Sequence, residues 1–240
     1  MKKFISNAEI STGLGSPDEI WEQIYTHKEW GKYPSEAIIR FIARNFYNAK
    51  DRNSVKVLEL GLGTGANLWF CAREGFRVSG IEWSKSGIER FEKRMQEEHL
   101  SGQIDTLLQG DYAQKLDELE DESFDAFMDS YSLAYNDFEK TKNIIEKAVK
   151  KLKKGGKFLS ITPSANNFGF KEDKSLGHHC CRPVEGSDAF TGVIRFCDEE
   201  DIKKLYEGKD YEVQSISKLT HSSKGVVEND LFIITGVKHG

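Results

Sequence analysis

The 240-residue sequence predicts an α/β protein with a seven-stranded, mostly parallel, doubly wound sheet, helices on both faces and a helical cap at the N-terminus. Three observations carry that prediction. Apolar runs of strand length alternate with amphipathic helical patterns from Lys56 onward, glycines stand where the helices should stop, and the chain finishes on two further apolar strands.

The segment SPDEIWEQIY opens the first helix: Ser16 is an N-cap, Pro17 takes the first helical position, and Glu19 completes a capping box ahead of Ile20, Trp21, Ile24 and Tyr25. In EWGKYPSEAIIRFIARNF the chain breaks at Gly31 and Pro34 and restarts at Ser35, with Ile38, Ile39, Phe41, Ile42 and Phe46 forming an apolar face. These two helices make up the expected cap over residues 1–48. Strands and helices then alternate: VKVLEL, ANLWFCARE; RVSGIE, KSGIERFEKRMQEEHL; IDTLLQ; FDAFMD, DFEKTKNIIEKAVKKL; and KFLSIT. Helical crossovers of this kind return each strand parallel to the last. Gly75, Gly102 and the pair Gly155–Gly156 mark expected helix ends, since glycine accepts the left-handed conformation there.

After Thr162 the periodicity fails across residues 163–197, a stretch rich in Gly, Ser, Asn and charge and read as an insertion on the substrate side. DEEDIKKLYEG restores a helix with Asp198 as its cap, and YEVQSISKL and DLFIITGVK are two strands joined by a polar turn. No repeat or linker divides the chain, so one domain spanning 1–240 is expected.

Setting 34 Lys and Arg against 39 Asp and Glu leaves a net charge of −5, which supplies no attraction for nucleic acid or anionic lipid. The opening MKKFISNAEI follows its lysines with too short an apolar run for a secretory signal, and no apolar stretch reaches the length of a membrane span. Cys71, Cys180, Cys181 and Cys197 make no disulfide framework, so a cytoplasmic location is expected by exclusion. Oligomeric state has no signal in the sequence.

The stretch VLELGLGTGANL is a strand, a glycine-rich turn and the start of a helix, an arrangement that lets backbone N–H groups approach a ligand closely. Gly61, Gly63 and Ala66 satisfy the dinucleotide pattern, and Glu82 ends the second strand where a ribose-binding acid belongs. A nicotinamide enzyme is therefore admissible. Glu59 argues the other way, because a carboxylate two residues before Gly61 repels a pyrophosphate but is compatible with an ammonium and a sulfonium.

Taken together, ELGLGTG at 59–65, the acid in GIEWS at 80–84, GDY at 110–112, SFDAFMD at 123–129 and LKKGGKFLSIT at 152–162 resemble the class I S-adenosylmethionine-dependent methyltransferases. The resemblance covers roughly residues 50–165, and the terminal strand pair suits that family's antiparallel last strand. It implies that Gly61, Gly63 and Gly65 leave room for the methionine part of S-adenosyl-L-methionine while Glu59 orients its ammonium. It further implies that Glu82 accepts hydrogen bonds from the ribose hydroxyls, and that Asp111 accepts one from the adenine amino group beside the Tyr112 backbone N–H. Trp83 is placed to cover one adenine face, and Asp129 ends the fourth strand where an open parallel sheet places its ligand crevice. DSYSLAY lacks the Pro-Pro-Tyr of many enzymes that methylate amino groups of nucleic-acid bases or glutamine.

Methyl transfer is an in-line displacement that leaves S-adenosylhomocysteine, and only some acceptors require a base. Where one is required, His178 and His179 in the long insertion are the candidates. The run HHCC also raises the possibility of a metal, but four consecutive residues do not readily wrap a tetrahedral ion, so no metal is expected. The aromatic residues Trp21, Tyr25, Trp30 and Tyr33 form a lid that excludes water, in competition with plain burial against the sheet. An acidic chain without an appended recognition domain favours a small-molecule acceptor carrying oxygen or nitrogen. A nicotinamide-dependent oxidoreductase and a non-catalytic cofactor-binding module are the rival readings.

Overall fold

The computed structural model describes residue 10 and residues 13–240. The segment MKKFISNAE, with the short apolar run read above, lies outside them. Among the described residues no helix is long and apolar enough to cross a membrane.

Helix α1 spans Pro17–His27 and starts as the capping motif requires, with the Ser16 N–H donating to the Glu19 carboxylate at 3.1 Å. Helix α2 (Glu36–Phe46) follows Ser35, and then the alternation begins: β1 (Lys56–Leu60), α3 (Ala66–Arg73), β2 (Arg77–Glu82), α4 (Lys85–Glu97) and β3 (Ile104–Gln109). A short helix α5 (Tyr112–Lys115), which sequence periodicity is too brief to reveal, leads to β4 (Phe124–Ser130), α6 (Phe138–Lys151) and β5 (Leu152–Pro163). The insertion contributes β6 (Cys180–Cys181) and β7 (Ile194–Arg195), and α7 (Glu199–Leu205), β8 (Tyr211–Ser223) and β9 (Val226–Lys238) complete the chain.

The seven-stranded sheet runs β3-β2-β1-β4-β5-β9-β8. Strands β1 to β5 pair in parallel, and β9 enters antiparallel between β5 and β8. Strand order reverses between β1 and β4, so the crevice of this open sheet opens beyond Leu60 and Ser130. Alternation along the strands separates two cores. Leu58, Leu60, Phe127 and Phe158 face α5, α6 and α7, whereas Val57, Val78, Met128 and Leu159 face α2, α3 and α4.

The expected N-terminal cap divides in two. Helix α2 packs Ile38, Phe41 and Ile42 into the sheet core, while α1 forms a separate cluster of Ile20, Ile24 and Tyr25 with Trp21 and Trp30. Two of the expected glycine stops also move. Gly75 (φ +94°) follows α3 as anticipated, but after α4 it is His99 (φ +59°) that takes the left-handed position, and Gly102 sits in a 3₁₀ turn. Gly155 (φ +74°) lies within β5, where the register to β4 shifts, and α6 has already ended at Lys151. The polar turn between β8 and β9 shrinks to Lys224 and Gly225, both at positive φ, because pairing continues out to Ser223 and Val226.

The insertion is folded down rather than left as a loop. Arg195 is buried and donates to the carbonyls of Asn136 (3.2 Å) and Leu133 (3.5 Å), to Thr141 Oγ1 (3.2 Å) and to Cys197 Sγ (2.9 Å). Cys181, Ile194 and Phe196 pack with Ala134 beneath it. The insertion is thereby pinned to the turn that follows β4.

Candidate active site

At the reversal of strand order lies a cavity of about 580 Å³. Its floor is the β1–α3 turn, one wall is the turn after β4, and α1 with the segment to Ser35 forms its roof. The insertion supplies Ser187, Asp188 and Thr191, and the β8–β9 hairpin reaches over with Leu219, His221, Asn229 and Leu231.

Glycines in the turn answer to different neighbours. A Cβ on Gly61 (φ +69°) would collide with Ser132, one on Gly63 (φ +56°) would lie 2.7 Å from Tyr25 Oη, and one on Gly65 (φ +77°) would overlap the Phe91 ring in the core. Gly63 therefore sets how closely the lid approaches. Gly65 serves the seating of α3 and α4, which corrects the expectation that it makes room for a ligand.

Two buried carboxylates face the cavity. Glu59 Oε1 accepts from Asn67 Nδ2 at 2.6 Å, while Oε2 is buried without a hydrogen-bond partner. Burial, reinforced by the neighbouring Asp129 and Glu82 charges and opposed by the Asn67 bond, pushes the Glu59 carboxyl up to about 8. Glu82 ends β2 and accepts from the Gly63 N–H at 2.7 Å and the Ser84 N–H at 2.9 Å. Burial raises its pKa, opposed by those backbone donors.

An orphaned carboxylate oxygen, a second acid at the end of the neighbouring strand and a glycine turn without bulk between them suit a ligand bearing both an ammonium and a ribose. These residues fit S-adenosylmethionine, whose ammonium would favour the ionised form of Glu59 that burial disfavours. Residues 57–156 match the family model described as a methyltransferase domain. The matched segment, which holds the glycine turn and both cavity acids, is a methyltransferase domain, and the chain is similar to the class I S-adenosylmethionine-dependent methyltransferases.

Solved structures share its fold. A SAM-dependent methyltransferase from Methanosarcina mazei superposes with TM-score 0.66 at 16% identity, covering 83% of this chain and 97% of that one. A geranyl diphosphate C-methyltransferase from Streptomyces coelicolor A3(2), crystallised with S-adenosyl-L-homocysteine, gives TM-score 0.64 at 11% identity, covering 95% and 100%. The cyclase SpnF gives 0.65 at 14% identity, covering 94% and 97%. No sequence among the curated proteins matches the chain.

Around this cavity the remaining candidate residues separate. Tyr112 and Trp83 both line the cavity, and their rings stack on each other at 5.5 Å. The Tyr112 hydroxyl donates to the Ser132 carbonyl (2.8 Å) and accepts from Asn136 (2.7 Å). Asp111 lines an adjoining depression of about 560 Å³ that shares Trp83 and Tyr135 with the cavity; its Oδ1 caps α5 at the Ala113 N–H (2.8 Å) and its Oδ2 pairs with Lys140 (2.7 Å).

Two expectations are corrected. Asp129 does not face the crevice: it is fully buried and accepts from Ser132 Oγ (2.7 Å), Ser160 Oγ (2.6 Å) and the Leu133 N–H (3.0 Å), fixing the turn after β4. His178 and His179 do not line the cavity either. They stack at 4.0 Å and bind the two oxygens of Asp201, each at 2.7 Å, at the start of α7. Donor atoms of Glu172, His178 and His179 lie within 4.8 Å of one another, as do those of His179, Asp198 and Asp201, and Asp201 takes one ring nitrogen of each imidazole.

Sequence reasoning passed over Asn67, Glu22, Tyr131, Tyr135 and Asp188. Asn67 had a signal, being the second residue of the helix that opens above Glu59. Asp188 had none, because contacts between distant segments, Asn167 to Asp188 and Tyr135 to Thr191 among them, bring it to the cavity.

Proposed function

We propose that this methyltransferase moves a methyl group from S-adenosylmethionine to an oxygen or nitrogen atom of a small molecule held between α1 and the insertion. One observation carries the reading: a single cavity extends from Glu59 and Glu82 on the sheet to Asp188 and Thr191 on the insertion, roofed by α1. Glu59, beside Gly61 and Gly63, holds the ammonium. Glu82 takes the ribose hydroxyls, and Trp83 with Tyr112 flanks the adenine toward Asp111.

When bound, the cofactor supplies an electrophilic methyl carbon on a sulfonium that is already a good leaving group. The protein contributes alignment and exclusion of water. Trp21 and Tyr25 on the lid close over the turn, and Tyr131 and Tyr135 line the path from the insertion side. A small acceptor suits an aromatic-lined cavity of this size. The four cysteines carry free, buried thiols, which agrees with a reducing cytoplasm.

Calorimetry with S-adenosylhomocysteine, followed by a panel of small amines, alcohols and phenols scored for S-adenosylhomocysteine release, tests the reading. Cofactor binding together with turnover of at least one small acceptor supports it. Binding with turnover confined to protein or nucleic-acid substrates would sink the small-molecule assignment.

A further inference from the structure

The cavity lining holds three carboxylates, Glu59, Glu82 and Asp188, and among the described residues no lysine or arginine. The first two stand at the strand ends beside the glycine turn, where the methyl donor belongs under the function proposed above, on which this inference rests. Asp188 stands on the insertion and has no task toward the donor.

Its setting is built. Asp188 is 8% exposed, and Asn167 Nδ2 donates to Oδ2 at 3.1 Å. The Thr191 hydroxyl donates to the Asp188 carbonyl at 2.7 Å and itself accepts from the Tyr135 hydroxyl at 3.1 Å, so carboxylate and ring hold a fixed relation. Tyr131 and Tyr135 both lie close enough for the Asp188 charge to bear on them, and Tyr135 packs edge-on against Trp21 at 5.1 Å. No cationic side chain among the described residues bears on Asp188, and burial raises its pKa. The one imidazole of the lining, His221, is engaged by Glu228 at 3.1 Å.

We propose that the acceptor is an amine, which enters as an ammonium ion and is held by the Asp188 carboxylate among the rings of Trp21, Tyr131 and Tyr135. A buried carboxylate without a cationic partner is costly, and a ligand that brings the missing charge removes that cost. Aromatic faces favour the same ion. An acceptor carrying a phosphate or carboxylate would meet three acids and no basic side chain. The chemistry balances: the ammonium gives one proton to the Asp188 carboxylate, the freed nitrogen lone pair forms the N–C bond, and the sulfur keeps the electron pair of the broken S–C bond.

Ligand-observed NMR on the full chain saturated with S-adenosylhomocysteine tests this with three probes of matched shape, 2-phenylethylamine, 2-phenylethanol and phenylacetate. In the wild type the amine is expected to bind roughly tenfold or more tightly than the alcohol, with the acid unengaged. In Asp188→Asn the preference for the amine disappears while S-adenosylhomocysteine affinity, measured by calorimetry, stays unchanged and reports an intact fold. An amine engaged no better than the alcohol or the acid in the wild type, or engaged equally by both proteins, overturns the proposal. Failure of the wild type to bind S-adenosylhomocysteine overturns the methyl-transfer reading itself, and the amine proposal with it.

Discussion

Glu22 on α1 accepts a hydrogen bond from the Ser84 hydroxyl at 2.6 Å, across 62 positions of sequence. The same hydroxyl accepts from the Gly87 N–H at 3.0 Å and caps α4, just beyond the strand end that carries Glu82. Ser86 adds its N–H (3.1 Å) and its hydroxyl (2.5 Å) to the Glu22 carboxylate. Desolvation works against ionisation of Glu22, but these donors outweigh it and hold its pKa below the ordinary value. The roof of the cavity is thus latched by Glu22 to the start of α4, beside the end of β2.

Glu22→Ala should therefore loosen α1 more than it destabilises the fold. Hydrogen bonds to charged groups are worth about 1.5–3 kcal/mol each, and those lost here join the lid to the body. Stopped-flow release of S-adenosylhomocysteine is expected to accelerate roughly tenfold or more, with a small change in Tm. Unaltered release would show that the aromatic contacts of α1 and the Arg90 bonds to the Thr26 and Lys28 carbonyls hold it without Glu22.

Glu59 should couple cofactor binding to proton release. Its carboxyl is held up to about 8 in the folded protein against an ordinary value of 4.5. The sign follows from that upward shift: the stability it contributes is fully present below the unfolded value, declines as pH rises above it, and is gone above the folded value near 8. An ammonium placed against Oε2 favours the charged form, so binding at pH ~7 should expel about one proton. Calorimetry of S-adenosylmethionine binding in buffers of different ionisation enthalpy measures it. Glu59→Gln is expected to abolish the release, weaken binding and flatten the fall of folding stability between mildly acidic and mildly basic pH.

The glycines of the turn should separate into two classes. Gly65→Ala puts a methyl group into the Phe91 ring at a positive φ and is expected to destabilise the fold by about 2–4 kcal/mol. At Gly63→Ala the new methyl meets the Tyr25 hydroxyl on the lid. About 1–2 kcal/mol of backbone strain is expected there, together with a much larger loss of cofactor affinity. Urea denaturation and calorimetry on the same two variants distinguish the classes.

The pair His178 and His179 should prove structural. Both imidazoles share the Asp201 carboxylate, whose pKa these bonds lower despite the opposing effect of burial. Asp201→Ala removes the common partner and the return half of the α7 capping box, so a loss of about 2–3 kcal/mol is expected. Either histidine changed to alanine should lose less and leave S-adenosylhomocysteine affinity intact. A collapse of cofactor affinity in a folded His178→Ala or His179→Ala protein would return these residues to the active site.

The residues near the strand ends show where sequence stops deciding. Glu59 and Asp129 sit on adjacent strands and read alike as acids near a crevice. The register pairs Leu60 with Asp129 and Glu59 with Met128. Residues paired across parallel strands point to the same face, so Asp129 shares the face of Leu60, opposite to Glu59. It meets Ser160, its own register partner on β5, inside the protein. A displacement of one residue converted an expected crevice acid into a buried anchor.

What the sequence determined alone is what local physics governs: the alternation of strand and helix, the caps at Ser16 and Asp198, the glycine turn, and the acid that ends β2. Each rests on residues within a few positions of one another, where periodicity and backbone preference act. Tertiary structure decided which acids line the cavity, that Gly65 serves packing, that the two histidines hold α7, and that Asp188 faces the rings after β4. Those outcomes depend on contacts between distant segments, above all the buried Arg195 that pins the insertion, and no local pattern encodes where a long irregular segment comes to rest.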